Sequence, residues 1–474
     1  MNLRKTSLLL MLSLFLSACS GEPELSTASP EARRFYEEGV RFLSQFYYNE
    51  ALASFDSALV QDSSFAMAWG RLASLNFEIG NEAKARTLIE KAMQLAPATS
   101  GREGLYIRFW NHLIKFENEQ AWEAADSLLR LYPEETEPYV MKGRLFEQTS
   151  LLDSAIHCYK HAAVLDTGYT RAVMHLGYAY STAGDQEQAI EYMQRYIRLS
   201  PDLADPRASY ADLLLRVGRY DEALEQYEAS LELKPDYWYS FSQIGYIYSI
   251  LGRLREAEEQ MLKGLTYLPG SERMNASRLT IAANMDMSRG LYDKAAERFL
   301  MALKDDSTSY EAAYGLVLAL AKQGKFDAAM ETSTRIEEEL SRRNLTETQV
   351  MVGFHLMKAR VLTEQQLYEE ARVACELALE HASPLSRTSV FRQLAEISTR
   401  NGDYDRAFLE CEESLAINNN SPSTLLTLTR LYRKKGDGDM TRSIGVRLQT
   451  LWKDADPDFR DLKELKDLLR TTPA

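Results

Sequence analysis

Chemistry-bearing residues are scarce in this sequence. Its 474 residues include four cysteines and six histidines. Cys19 stands in the N-terminal leader, which leaves Cys158, Cys375 and Cys411, an odd number without short paired spacing. That pattern offers no disulfide framework and no cysteine zinc site, so the three are expected as small residues of helical cores. A Gly-rich phosphate loop, a Gly-x-Ser-x-Gly elbow and a His-Glu-x-x-His helix are all missing, which removes three common catalytic chemistries. His157 and His161 are four apart, a spacing that can set two imidazoles on one metal, with Cys158 and His175 near in sequence. Both histidines fall between the core positions of a helix and no third ligand presents itself, so no metal and no cofactor is expected. Acidic pairs such as Glu258-Glu259 and Glu369-Glu370 are what solvated helix faces produce, whereas a glycosidase needs two carboxylates facing across a pocket. The sequence is not expected to encode an enzyme.

Positive charge is also short. The formal net charge is -14, and -16 once Arg4 and Lys5 of the leader are set aside. No basic stripe reverses this locally, so nucleic acid is excluded as a partner. Glycine and proline, 23 and 13 residues, are too few for a fibrous or disordered chain. The chain is too long for one compact helical core and suits either several domains or one repeat array. No apolar run is long enough to span a bilayer; the nearest, Ser7 to Leu16, is too short.

That short run has the form of an export signal, with Arg4-Lys5 as its positive start. It ends in Leu16-Ser17-Ala18-Cys19, which resembles the bacterial lipobox. The resemblance implies removal of residues 1–18 and lipid attachment at Cys19. Multiple acyl chains, each buried CH₂ contributing about 0.8 kcal/mol, would hold the chain on a membrane. Ser20, rather than an acidic residue, follows the cysteine; resemblance to enterobacterial sorting implies the outer membrane of the cell envelope. Residues 19–30 have the small, polar composition of a tether, reaching at most roughly 40 Å.

The body is self-similar. An alanine among helix formers recurs at Ala51, Ala85, Ala121, Ala155, Ala189, Ala223, Ala257, Ala295, Ala329, Ala371 and Ala407. Most steps are 34 residues, the exceptions being 36, 38, 42 and 36. Each unit reads as two antiparallel helices. Small residues such as Gly143, Gly177, Ala211 and Gly245 are expected to face the small residue twelve positions on, which lets the first helix approach the second closely. Gly80, Gly184, Gly218, Gly252, Gly290, Gly324, Gly402 and Gly436 share one place in the frame, where a helix can end in the left-handed region. Three residues later, Asp221, Asp293, Asp327 and Asp405 are expected to cap the second helix. Pro97, Pro133, Pro201, Pro235 and Pro269 close the units, because proline lacks the N–H that a helix needs.

This pattern resembles the tetratricopeptide repeat family, whose signature appears in order as Val173, Leu176-Gly177, Tyr180, Ala189, Met193, Tyr196 and Pro201. The resemblance covers about Ala32 to Ala455. It implies an all-α fold, an α-solenoid forming a right-handed superhelix of about twelve helix-turn-helix units. Units starting near Thr170, Ala204 and Trp238 are the cleanest. The one near Arg102 has Phe109 in place of the small residue, and the last has Thr441 and Gly445 where alanine and an aromatic are expected. Asp456 to Arg470 reads as a polar capping helix. The 42-residue step inserts about eight residues around Glu338 to Thr348, so two arrays are expected, 31–344 and 345–474, with a hinge or a longer helix pair between them.

In this family first helices line the concave surface. The resemblance carries that groove onto Tyr106, Trp110, Arg144, Arg171, Met174, Tyr178, Asp205, Asp212, Tyr239, Tyr246, Asn284 and Met287. Exposed aromatics with arginine among them form a surface for peptide segments or helices of partner proteins. The residues in the places of the family's Lys/Asn/Arg carboxylate clamp, Val140, Arg144, Arg171 and His175, depart from it, so a terminal carboxylate is not the expected ligand. The expected function is a scaffold for envelope proteins, with a glycan stacked on the groove aromatics beside Asp205 and Asp212 as the alternative.

Overall fold

The computed structural model describes residues 25–470 apart from 100, 150, 269–273, 344–349 and 384–385. The signal sequence and Cys19 lie outside the described residues. Among those described, there are twenty-five α-helices and no strand. They form twelve antiparallel pairs, from Pro30–Ser44 with Tyr48–Gln61 to Pro422–Lys435 with Gly438–Leu451, followed by a single helix, Arg460–Arg470. The chain is an α-solenoid.

The first helix begins on Ser29, whose hydroxyl accepts the Ala32 N–H at 3.2 Å, with Pro30 in the first turn where its missing N–H costs nothing. All eight frame glycines have positive φ. At Gly184, φ is +88, a conformation that a Cβ would oppose. Phe46, Phe116 and Gln366 take the same turn without glycine, at φ 58, 59 and 63. The aspartates three residues after the glycine do not cap. Asp221, Asp293, Asp327 and Asp405 already lie in the first helical turn, where their charge suits the helix dipole. The capping carboxylates come one residue after the glycine: Asp185, Asp403 and Asp437 accept the N–H groups of Gln188, Arg406 and Met440 at 3.0–3.3 Å.

In five of the pairs the small residue of the first helix receives a large knob. A Cβ on Gly39, Gly143, Gly177, Gly245 or Gly315 would collide with Phe55, Tyr159, Met193, Met261 or Phe299. Each knob stands four residues after the frame alanine, one turn further along the same face. Cys158, Cys375 and Cys411 are buried free thiols.

Close contacts divide the chain into two compact units, Met1–Pro133 and Glu134–Ala474. The arrays expected on either side of residue 344 thus meet inside the second unit. Helix Phe326–Arg342 runs to 17 residues, which takes up part of the insertion. Ile336 and Leu340 share one core with Met351, Phe354, Met357 and Val361.

In the first unit, the end of the expected tether is fixed to the repeats. Ser26 N–H donates to Glu103 at 3.1 Å and Thr27 Oγ1 to Asp62 at 2.6 Å. In the second unit, the array closes on itself. Trp452, Phe459, Leu462 and Leu465 bury themselves with Leu254, Ala257 and Met285 in one cluster. The Trp452 indole donates to the Ile250 carbonyl at 3.1 Å, and Asp456 N–H to the Gly252 carbonyl at 2.9 Å. Asp456 in return accepts the Arg255 backbone N–H and guanidinium, each at 2.9 Å. Asn420 donates to the Gly218 carbonyl at 3.1 Å. The terminal helix caps the array's end, while Asn420 and the segment 452–459 that precedes this helix lock the array to the glycine turns of the sixth and seventh pairs.

Candidate binding face

The 34-residue period carries chemistry across the fifth, sixth and seventh pairs. Tyr178, Asp212 and Tyr246 occupy one frame position, and Arg171, Asp205 and Tyr239 another. Side chains seven apart on a first helix share one face, so the aspartates meet tyrosines from both flanking repeats. Asp212 accepts the hydroxyls of Tyr178 at 2.6 Å, Tyr239 at 2.8 Å and Tyr227. Asp205 accepts Tyr237 at 2.7 Å, Tyr196 at 2.8 Å and Ser209 at 3.3 Å. Burial raises the pKa of both carboxyls despite these donors, that of Asp205 to about 6. The same burial, with the Asp212 charge, holds Tyr178 and Tyr239 well above the usual phenol range. Satisfied buried networks of this kind fix geometry.

Exposure had been expected of these acids. Asp205 and Asp212 are instead buried beneath phenol donors, so they are not open to a sugar. Tyr106, Trp110 and Met174 are likewise buried, at 4, 4 and 6% exposure. Tyr106 lies under the Arg71 guanidinium, which donates to its hydroxyl at 2.6 Å. Without a small residue at Phe109, helix Gly101–Ile114 buries most of its length, which turns these aromatics into packing. Arg144, Arg171 and Tyr178 are half-buried. Asn284 donates to Glu311 at 2.9 Å. His157 and His161 are exposed, and His161 stacks on Tyr139 with centroids 4.3 Å apart.

Two candidates come together. Tyr239 and Tyr246 line a hollow of about 340 Å³ with Arg216, Gln243, Thr388 and Asn418. Tyr246 is half exposed, at 50%, while Tyr239 is anchored through Asp212. The other wall carries no signal in the sequence, because Thr388 and Asn418 arrive only through the closure of the array. A rigid aromatic pair with a guanidinium beside it has the composition that carries affinity at protein interfaces. Among the described residues no cluster of three or more His, Cys, Asp or Glu is placed to hold a metal ion.

Part of this array is recognised as tetratricopeptide repeats. Family models described as tetratricopeptide repeat match residues 36–99, 140–204 and 282–339, and a second such model matches 180–243. The chain is 23% identical over 374 residues to the TPR repeat-containing protein YpiA of Bacillus subtilis (strain 168), covering 76% of this chain and 84% of that protein. It is 23% identical over 250 residues to the peroxisomal targeting signal receptor of Candida albicans, half of this chain and 41% of the receptor. Among solved structures, yeast Tom70 aligns over 92% of this chain and 95% of its own, at 13% identity and a TM-score of 0.38. An array of such repeats is a protein-interaction scaffold.

Proposed function

We propose that this protein is a lipid-anchored scaffold of the bacterial cell envelope, placed at the outer membrane, that holds segments or helices of partner proteins near the bilayer. Cys19 carries the lipid, and the repeats carry the partner. The observation that bears most on partner binding is the exposed Tyr246 ring beside the fixed Tyr239 ring in the hollow of the sixth and seventh pairs. An aromatic so exposed contributes little to the fold, and burying it against a partner is worth about 1.5–3 kcal/mol. A relative named as the receptor for a targeting signal supports the same reading. The anchor rests on Arg4-Lys5, the apolar run and Leu16-Ser17-Ala18-Cys19.

Capture from cross-linked envelopes, read by mass spectrometry, tests this with the full chain and its Cys19→Ala and Tyr246→Ala forms. Cys19→Ala is expected in the soluble fraction with its envelope partners lost. Tyr246→Ala is expected to keep its fold and membrane location while losing captured protein. Unchanged capture by Tyr246→Ala would remove the hollow from the reading. Membrane retention of Cys19→Ala would remove the lipid anchor.

A further inference from the structure

A second cavity, of about 430 Å³, lies among the eighth to twelfth pairs and the terminal helix. Its wall carries a ladder of alternating charge. Glu364 accepts Lys322 at 2.7 Å and lies 3.1 Å from Arg400. Arg400 and Arg430 donate to Glu396 at 2.7 and 2.8 Å. Arg430 also grips Glu464 of the terminal helix through two bonds, at 2.6 and 2.9 Å. The Glu396, Arg430 and Glu464 rungs are 34 residues apart, so the repeat itself builds the ladder. Arg460 donates to Asp461 and, at 2.9 Å, to the Tyr292 hydroxyl.

Every carboxylate of the lining is thereby engaged. Arg360 and Arg392 line the same cavity, and among the described residues neither forms a hydrogen bond or an ion pair. Six cationic side chains face four anionic ones, a surplus of two positive charges in a chain whose net charge is -14. Burial, and for Arg360 the neighbouring Arg392 charge, lowers both guanidinium pKa values, that of Arg360 to about 10, while the Glu396 and Asp461 charges oppose the shift at Arg392; a guanidinium stays protonated at neutral pH. Both guanidinium groups are half-buried, and a charge partly withdrawn from water with no bonded partner is unfavourable to a fold. A pair of like charges facing one cavity is therefore a poor packing device and a good receptor for an anion. Guanidinium forks match the planar, two-oxygen edges of phosphate and carboxylate, and the cavity volume lies within the range of small-molecule sites.

We propose that this cavity binds a small dianion, a phosphate monoester or a dicarboxylate, through the Arg360 and Arg392 guanidinium groups. The ladder holds the wall rigid, and the surplus of two charges sets the charge of the ligand. The site shares no lining residue with the aromatic hollow, although Arg392 lies near enough to Tyr246 to feel its charge, and its existence does not depend on protein partners.

Calorimetric titration of the full chain at fixed ionic strength tests it, with phenyl phosphate in one arm and succinate in the other. One of the two is expected to bind and to raise the melting temperature. Arg360→Met and Arg392→Met are expected to weaken that binding at least about tenfold, while Arg470→Met, on a side chain 78% exposed, leaves it unchanged. In ligand-free buffer the Arg392→Met protein is expected to melt no lower than wild type, because the change removes a half-buried charge that has no bonded partner. Failure of both probes to bind wild type at about 10 mM would overturn the proposal. So would a fall in ligand-free melting temperature for both methionine variants, which would assign the arginines to the fold.

Discussion

Two turn glycines offer a controlled test of the closure in the second unit. Gly252 and Gly402 both follow first helices at positive φ, +75 and +85. Alanine at either position meets the left-handed backbone penalty, about 1–2 kcal/mol. A Cβ at Gly402 meets nothing within 4 Å, whereas at Gly252 it would lie 2.5 Å from Phe459 Cδ1 and 2.8 Å from Ala455 Cβ. Phe459 is buried and Asp456 N–H is bound to the Gly252 carbonyl, so the neighbour cannot simply swing away. Overpacking of this kind adds about 1–3 kcal/mol. Gly402→Ala should therefore cost about 1–2 kcal/mol, and Gly252→Ala about 2–5 kcal/mol. Because repeat arrays need not unfold in one step, hydrogen exchange read by mass spectrometry is the sharper assay beside denaturant melts. Only Gly252→Ala should speed exchange across residues 452–465. Equal losses for the two variants, with exchange at 452–465 unaltered, would refute the closure.

Asp205 should make the sixth pair sensitive to pH. Its folded pKa, about 6, lies above the ordinary aspartate value of about 3.9, so the stability it adds is complete below about pH 4 and lost as pH rises through 6. Protection factors across 196–240, which divide out the intrinsic pH dependence of amide exchange, should rise on acidification from pH 7 to 5, and Asp205→Asn should flatten that trend; an unchanged slope would contradict the assignment. Gly315→Ala should cost more than Gly177→Ala by about 1 kcal/mol or more, because the first drives a Cβ into the Phe299 ring and the second into the Met193 thioether 2.8–3.0 Å away, which can bend aside; equal melting temperatures would count against that packing. Gln366→Gly should stabilise by roughly 1 kcal/mol in a denaturant melt, because Gln366 holds φ at 63 in a turn that elsewhere uses glycine; no gain would mean that the turn is unstrained.

Features set by local chemistry were legible in the sequence. A glycine every repeat, a proline after the second helix and an alanine at fixed spacing each answer a backbone or packing demand within one unit, and the eight frame glycines take the positive φ their position implies. Partner choice within a unit was less legible. Small residues facing small residues looked sufficient, yet Gly143 accommodates Tyr159 and Gly315 accommodates Phe299, because the knob one turn beyond the alanine fills the space. Exposure across units was the least legible. Frame position alone puts Asp212 on an open face, and only the tyrosines arriving 34 residues before and 27 after it show why it is buried. Arg360 and Arg392 carried no motif at all, since the cavity around them exists only once the twelfth pair and the terminal helix are in place.

The tie between Asp456 and the Gly252 turn changes how the solenoid can come apart. An open array is a line of neighbours with two loose ends, and disorder can enter at either end and travel inward one repeat at a time. From the sixth pair onward this chain has no such end. To loosen the twelfth pair, it must also release the Trp452 indole from Ile250 and Phe459 from the cluster around Leu254, contacts more than two hundred residues away in sequence. Pairs six to twelve should therefore melt as one block, a belt that opens only at its buckle.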